Sequence, residues 1–152
     1  MRRAFTLIEI LIVVVILGVL AAIVIPQFTD VTGEAQRTAF VNSAQIFVAA
    51  AKRYELDYGE YPDAGHGELP DGFGDYIQSN KWEGATPIGG EWEAKEDKDG
   101  ITAVLGVHYE ANDPDHDPAR MLVIDEMVDD GDLATGAFRQ FGDKHYFFIV
   151  AQ

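Results

Sequence analysis

The sequence predicts an α+β fold in which one long N-terminal helix, whose first half spans a membrane, packs on a small antiparallel β-sheet. Three observations predict it. Residues 10–25 carry no polar side chain and precede Pro26. Aromatic and small residues then recur at spacings of three and four up to Tyr58, which is typical of an amphipathic helix. Apolar residues alternate from Ile101 to Tyr109, as in a half-buried strand.

Composition limits the chain to one globular domain behind the apolar helix. It has 152 residues, of which 47% are hydrophobic, and a net charge of −15. Residues 1–26 have a net charge of +1, so the remaining 126 residues carry −16. Such an acidic body argues against a nucleic-acid partner, because phosphates require a basic face. The chain has no cysteine, which excludes disulfides, thiol catalysis and thiolate metal sites.

The N-terminal segment has the features of a membrane anchor. As a helix, the 21 residues from Phe5 to Ile25 would span about 30 Å, the thickness of a hydrocarbon core. Arg2 and Arg3 precede it, and the positive-inside rule keeps that end cytoplasmic and exports everything after Pro26. Pro26 itself is expected to kink or loosen the helix.

Three ordinary interpretations compete for this segment. It could be a secretory signal peptide with small residues at Ala21 and Ala22, a twin-arginine signal that begins at Arg2, or an uncleaved signal anchor. Glu9, near the front of the apolar stretch, fits a signal peptide poorly and is unexplained in a plain anchor. An ionisable group inside a bilayer is costly and is by default a functional-site hypothesis.

The string from Arg2 to Glu9, followed by the apolar run and Pro26, resembles the type IV prepilin signal. This signal marks type IV pilins and the pseudopilins of type II secretion systems. The resemblance implies that a prepilin peptidase cuts between Ala4 and Phe5 and N-methylates Phe5. The residue before the cut is usually Gly, and Ala4 is its nearest small substitute. The implied organisation is a leader (1–4), a transmembrane and assembly helix (5–26) and an exported pilin-like globular domain (27–152).

Glu9 is the candidate assembly residue. Cleavage after Ala4 would create an ammonium group at Phe5, one helical turn from Glu9, so the two charges could pair. The pair could also form between neighbouring subunits of a filament, which would relieve the cost of a buried carboxylate. The resemblance implies a role for Glu9 in assembly and register. A carboxylate that merely reaches the lipid headgroups is the alternative.

The rest of the chain predicts one helix end, a long loop and a small sheet. The helix should end at Gly59 before Pro62, an exit that resembles that of many major pseudopilins. Residues 59–90 are predicted to form a long loop with one short helix near Gly74–Ser79, and Trp82 and Trp92 are expected to pack under this loop rather than bind a ligand. Strands are expected at Glu91–Lys95, Ile101–Tyr109, Met121–Ile124 and Tyr146–Val150, with Asp99-Gly100 as a hairpin turn.

A calcium site is the only ligand site that the sequence suggests. Asp113, Asp115 and Asp117 alternate in a loop and could supply oxygen ligands, but the EF-hand pattern fails because Pro118 and Ile124 replace its Gly and Glu. The resemblance to calcium-binding pseudopilins supports a site here. Solvated acidic loops, including a second one at residues 125–132, are the alternative. The four histidines show no ligand spacing and no catalytic motif is present, so an enzyme is not expected.

The resemblance implies a structural subunit that polymerises into a helical filament. The first hypothesis is the pseudopilus of a type II secretion system, and the second is a type IV pilus for adhesion or motility. The implied partners are copies of itself, other pilin-like subunits, prepilin peptidase and an inner-membrane assembly platform. The expected location is the cytoplasmic membrane, with a single pass and an exported domain. A membrane-anchored acidic binding module is the alternative from another class.

Overall fold

The computed structural model describes residues 6–152, without the side chains of residues 25–30. The chain forms two compact units, Met1–Gln36 and Arg37–Gln152. Helix α1 continues through Pro26 without a break, so the predicted loosening of the helix there is not observed, and the kink stays a prediction. The elements, in chain order, are α1 (Leu7–Tyr58), a 3-10 turn (Phe73–Asp75), α2 (Ser79–Trp82), β1 (Glu91–Lys98), β2 (Ile101–His108), α3 (Pro118–Val128), β3 (Phe138–Gln140) and β4 (His145–Ala151).

The sheet has four strands in the order β1-β2-β4-β3, and every neighbouring pair is antiparallel. The β1–β2 hairpin turns at Asp99 and Gly100, whose φ angles are 51° and 82°. Two successive positive φ angles are what a tight type I′ hairpin turn requires. The predicted α+β class, with a long N-terminal helix on a small antiparallel sheet, is therefore confirmed, as is the hairpin.

The second half of α1 covers one face of this sheet within the unit Arg37–Gln152. Its predicted stripe is buried from Phe40 to Tyr54, whereas Tyr58 is half exposed. The Phe40 ring stacks on Trp92 with centroids 5.2 Å apart. The facing sheet residues come from alternate positions of β1, β2 and β4, namely Trp92, Ala94, Ala103, Leu105, Val107, Tyr146, Phe148 and Val150. The alternation predicted for β2 thus forms the core.

The helix ends where the sequence predicts. Gly59 follows the last helical residue with φ 80°, and its N–H donates to the Glu55 carbonyl over 2.7 Å. A residue in the left-handed region just past a helix is a common stop, and glycine adopts it without strain. The loop that follows contains two short helical turns rather than one. Trp82 and Trp92 are buried, as predicted, and the Trp82 indole donates to the Glu68 carbonyl over 2.7 Å.

The strand predicted at Met121–Ile124 is wrong, because this segment lies in helix α3. Asp117 caps the helix by accepting a hydrogen bond from the Ala119 N–H, and Pro118 occupies the first turn. Both are helix-start signals. Met121, Ile124 and Asp125 are buried, which is helical spacing rather than alternation. The short strand Phe138–Gln140 takes the edge position beside β4 instead.

Candidate functional site

Among the described residues, one helical segment is long and apolar enough to cross a membrane. It is Leu7–Val24, with a mean hydropathy of 3.2, and none of it is buried within the protein. Its large apolar side chains are about half exposed or more, on every side of the helix. In a helix the backbone polar groups bond to one another, so only the side chains need surroundings to match. This segment therefore requires lipid or other apolar helices around it.

The start of the apolar helix is closed by a reciprocal pair of hydrogen bonds between Thr6 and Glu9. The Glu9 carboxylate accepts from the Thr6 backbone N–H over 2.8 Å and from the Thr6 hydroxyl over 2.7 Å. The Thr6 hydroxyl oxygen lies 3.3 Å from the Glu9 N–H, which donates to it. This arrangement is a capping box, in which the residue before the helix and the third helical residue satisfy each other's free N–H groups.

The cap gives the Glu9 carboxylate a local role besides any role between subunits. Negative charge in the first turn is stabilised by the positive end of the helix dipole. Both Thr6 donors bind the same carboxylate oxygen, Oε2. The second oxygen, Oε1, is not used by this cap. One carboxylate can therefore cap its own helix and still accept a bond from an external cation.

The sequence contains a signal for this cap at Thr6 and Glu9. A Thr followed three residues later by Glu, just before an apolar run, is the signature of a capping box. The cost of a carboxylate in an apolar run points to Glu9 alone, whereas the capping-box spacing points to Thr6 as well. The processing residues Ala4 and Phe5, and the expected Phe5–Glu9 ion pair, lie outside the described residues and stay predictions.

The candidate calcium ligands lie in the loop before α3 and at its start. The Asp113 carboxylate accepts from the Asp115 N–H over 2.8 Å, and the Asp117 carboxylate accepts from the Ala119 N–H over 3.0 Å. Two of the three side chains therefore stabilise local backbone turns. These bonds leave each carboxylate an oxygen for other partners, and calcium binding by Asp113, Asp115 and Asp117 stays a prediction.

The second acidic segment is not uniformly solvated. Asp125 is completely buried in α3, and among the described residues neither carboxylate oxygen has a partner in ordinary hydrogen-bond geometry. Burial raises the pKa of Asp125, and the charges of Asp130 and Asp129 raise it further; the N–H groups of Gly131 and Asp132 offset this in part. In contrast, bonds from the Asp132 N–H and the Thr135 hydroxyl lower the pKa of Asp130. The two aspartates thus have opposite electrostatic environments.

Comparison with known families identifies the N-terminus. A family model described as a prokaryotic N-terminal methylation motif matches residues 1–25. This match contains the predicted leader, the predicted cleavage position and the capped start of the apolar helix. The prepilin-type motif that the sequence predicted is therefore confirmed.

Curated relatives fall into two groups. The chain is 37% identical over 83 residues to a fimbrial protein of Neisseria meningitidis serogroup A, which covers 52% of this chain and 49% of the relative. It is 44% identical over 66 residues to type II secretion system core protein G of Pseudomonas aeruginosa, covering 43% and 46%. It is 36% identical over 63 residues to the type IV major pilin protein PilE1 of Neisseria gonorrhoeae, covering 41% and 38%.

These matches span half or less of the length of each relative. About half of this chain or more therefore has no counterpart in the alignments. No solved structure matches the chain. The likeness to pilins and to a secretion-system protein is a likeness of part of the molecule.

Proposed function

We propose that this chain is a structural subunit of a membrane-derived helical filament, with the pseudopilus of a type II secretion system as its first assignment. The observation that carries the proposal is a methylation motif that leads directly into a capped helix whose side chains are apolar except for one carboxylate in its first turn. The subunit is processed between Ala4 and Phe5 by prepilin peptidase and N-methylated at Phe5. It has no catalytic role of its own.

The apolar helix explains how one chain can be stable in two environments. Residues Leu7–Val24 present apolar side chains on every side, so a bilayer satisfies them before assembly. Copies of the same helix, bundled side by side, would satisfy them equally in a filament. The N-terminus stays in the cytoplasm and the acidic body is exported, in agreement with the positive residues before the helix. An inner-membrane platform would then transfer subunits from lipid to filament.

Glu9 supplies the directional contact in this transfer. After cleavage, the Phe5 amine of a subunit at the growing end is a cation inside apolar surroundings. The Oε1 oxygen of an incoming Glu9 can accept from it while Oε2 keeps the cap with Thr6. An unpaired charge in such surroundings is strongly unfavourable, so the pair would fix the axial register of each subunit. The same bond cannot form if processing fails, because Phe5 then has no free amine.

The test separates the cap from the charge. Glutamine can serve in a capping box as glutamate does, so Glu9→Gln keeps the cap but removes the charge. Thr6→Ala removes the cap, which costs about 0.5–2 kcal/mol of helix stability, but keeps the charge. Glu34→Gln removes an exposed carboxylate of the same helix and is the matched control. Each full-length variant is expressed with its secretion machinery, and sheared filaments are quantified against the membrane pool.

We expect Glu9→Gln to abolish filaments, Thr6→Ala to reduce them and Glu34→Gln to leave them unchanged. Intact mass of the membrane-extracted protein should show loss of Met1–Ala4 and gain of one methyl group in all of them. A processed Glu9→Gln protein that polymerises normally would overturn the charge-pairing role. A wild-type chain of full length, or one cut near Ala22, would overturn the filament proposal and favour the anchored acidic binding module.

A type IV pilus is the second candidate, supported by the 83-residue likeness to the meningococcal fimbrial protein. Deletion of the gene distinguishes the two. Loss of protein export across the outer membrane, with surface fibres intact, supports the pseudopilus. Loss of surface fibres with export intact supports the pilus.

A further inference from the structure

The sheet face that points away from α1 carries a cluster of three histidines around one glutamate. His108 ends β2 and His145 begins β4, and the two are direct cross-strand partners. Glu93 lies on the neighbouring strand β1 and belongs to the same face, because Trp92 and Ala94 on either side of it point into the core. His66 comes from the loop after α1. We call these four side chains the histidine cluster.

The loop that contributes His66 is held against the sheet by backbone hydrogen bonds. The Ala64 N–H donates to the Ala94 carbonyl over 3.0 Å, and the Gly67 N–H donates to the Trp92 carbonyl over 2.9 Å. These two bonds bracket His66 and place it beside Glu93. The cluster is therefore built by the sheet and its attached loop, and does not result from chance contact between mobile side chains.

The side chains of the cluster are in direct contact. The Glu93 carboxylate lies 3.0 Å from Nδ1 of His145 and 3.5 Å from Nε2 of His66. The rings of His66 and His108 stack with centroids 3.7 Å apart, and those of His108 and His145 are 4.4 Å apart. One ring nitrogen from each histidine lies within 4.8 Å of the other two. Among the residues that the structure describes, these three form the one group of His, Asp or Glu side chains whose ligand atoms are close enough together to hold a metal ion.

His108 is the member that hydrogen bonding inside the protein leaves unsatisfied. Its residue is 8% exposed, and its Nδ1 atom has no hydrogen-bond partner among the described residues. A buried polar atom without a partner is unfavourable and calls for an explanation. The His108 ring lies between those of His66 and His145, and one nitrogen from each of the three rings is close enough to the other two to share a metal ion.

We propose that His66, His108 and His145 bind one divalent transition-metal ion of the zinc class, with Glu93 as the carboxylate that orients His145 and balances the charge. A carboxylate that accepts from one ring nitrogen of a histidine leaves the other nitrogen for the metal, as in carboxylate–histidine–zinc arrangements. Glu93 can do this for His145 because it contacts Nδ1, so Nε2 is the ligand. Imidazole nitrogens suit zinc, copper and nickel, whereas calcium prefers oxygen ligands.

The geometry requires only a small adjustment. Zn–N bonds of about 2.0–2.1 Å in a tetrahedral site put ligand nitrogens about 3.4 Å apart. The present separations of up to 4.8 Å are brought into that range by side-chain rotation, for which the exposed His66 has room. His66 also leaves the cluster open to solvent on one side, which gives the ion an entry path. The bound ion would fasten the loop after α1 to strands β2 and β4.

The simpler alternative is that the histidines only hydrogen-bond to Glu93. This accounts for His66 and His145, each of which contacts one carboxylate oxygen. It does not account for His108, which is buried between two imidazoles with an unpartnered nitrogen. The metal site accounts for all three.

The experiment uses the full-length protein in detergent, stripped of metal with a chelator and then freed of the chelator. Zinc sulfate is titrated calorimetrically in the presence of excess calcium, which occupies nonspecific acidic sites. The variant is His66→Gln, an exposed position where loss of the fold is not expected. The matched control is His116→Gln, because His116 lies outside the cluster and bonds to the Tyr146 hydroxyl. X-ray absorption at the zinc edge identifies the ligand atoms.

We expect one zinc ion per chain, a nitrogen-dominated first coordination shell, at least tenfold weaker binding in His66→Gln and unchanged binding in His116→Gln. Zinc should also raise the thermal midpoint of the wild type, and less so that of His66→Gln. The absence of zinc uptake by the wild type would overturn the proposal. So would equal affinity in the wild type and His66→Gln, which would show that His66 is not a ligand, or an oxygen-only shell, which would show that no imidazole binds the ion.

Discussion

Replacing Phe40 by Ala tests whether the stripe on α1 is the element that covers the sheet. Phe40 is fully buried, and its ring contacts three aromatic rings: it stacks on Trp92 at 5.2 Å, and its centroid is 6.0 Å from Phe148 and 6.4 Å from Phe138. Removing a buried Phe side chain costs about 3–5 kcal/mol, from lost transfer free energy and the cavity that remains. Domains of this size have about 5–15 kcal/mol of stability in all.

The expected loss is therefore a large fraction of the stability of the unit Arg37–Gln152. At about 4 °C for each kcal/mol in a unit of roughly 100 residues, the thermal midpoint should fall by about 12–20 °C. The chain has two tryptophans, Trp82 and Trp92, and both are buried in this unit. Tryptophan fluorescence during guanidinium unfolding of the full chain in detergent therefore reports on this unit rather than on the apolar helix.

Ile46→Ala is the matched control, because Ile46 lies on the same helix but is 63% exposed. It should change the free energy of unfolding by no more than about 0.5 kcal/mol. A loss below about 1 kcal/mol for Phe40→Ala, or a loss equal to that of Ile46→Ala, would refute the reasoning. Either result would mean that the helix does not supply the cover of the sheet.

Three further predictions follow from particular contacts. Asp125→Asn should raise the free energy of unfolding at pH 7 in the presence of a chelator. The pKa of the Asp125 carboxyl is raised in the fold above its ordinary value of 3.8, so the wild-type protein loses stability as the pH rises through the folded pKa. The gain, measured from unfolding curves, should shrink toward pH 4, and a gain independent of pH would contradict this explanation. Gly106→Ala should lower the free energy of unfolding by about 1–3 kcal/mol or more, because the added Cβ would meet the Tyr146 carbonyl and lie 2.7 Å from the Phe147 Cα. The urea midpoint of unfolding measures this loss, and Gly18→Ala, where nothing lies within 4 Å of the added Cβ, is the control. A hydrogen bond to the Asp57 carboxylate raises the pKa of Tyr76 to about 12, so Asp57→Asn should move one tyrosine transition toward 10 in an ultraviolet titration, and an unchanged curve would exclude that bond.

Elements set by neighbouring residues were predictable from the sequence. The helix end at Tyr58 and the β1–β2 hairpin each depend on a glycine at a position of positive φ, Gly59 and Gly100. Such a requirement is local, so the residue type reveals it. The apolar segment Leu7–Val24 is equally local, because composition alone decides its preference for lipid.

Short segments whose hydrophobic pattern fits both a strand and a helix could not all be assigned from the sequence. Residues 121–124 form a short apolar run, which fits a buried strand as well as a turn of helix. The segment is helical because Asp117 and Pro118 start a helix, which buries positions 121, 124 and 125 on one side. In the candidate assembly site, Glu9 was predictable as a charge in an apolar run, whereas its bond to Thr6 depends on the spacing of the two residues at the helix start.

The sequence by itself determined the N-terminal chemistry of this protein: the methylation motif, the apolar helix and the carboxylate in its first turn are all encoded within 26 consecutive residues. The tertiary structure alone decided the histidine cluster. His66, His108 and His145 are far apart in the chain and share no ligand spacing, so only the antiparallel register of β2 with β4, and the loop bonded to β1, bring them together. Strand pairing is non-local, and a single sequence does not state which residues will face each other across it.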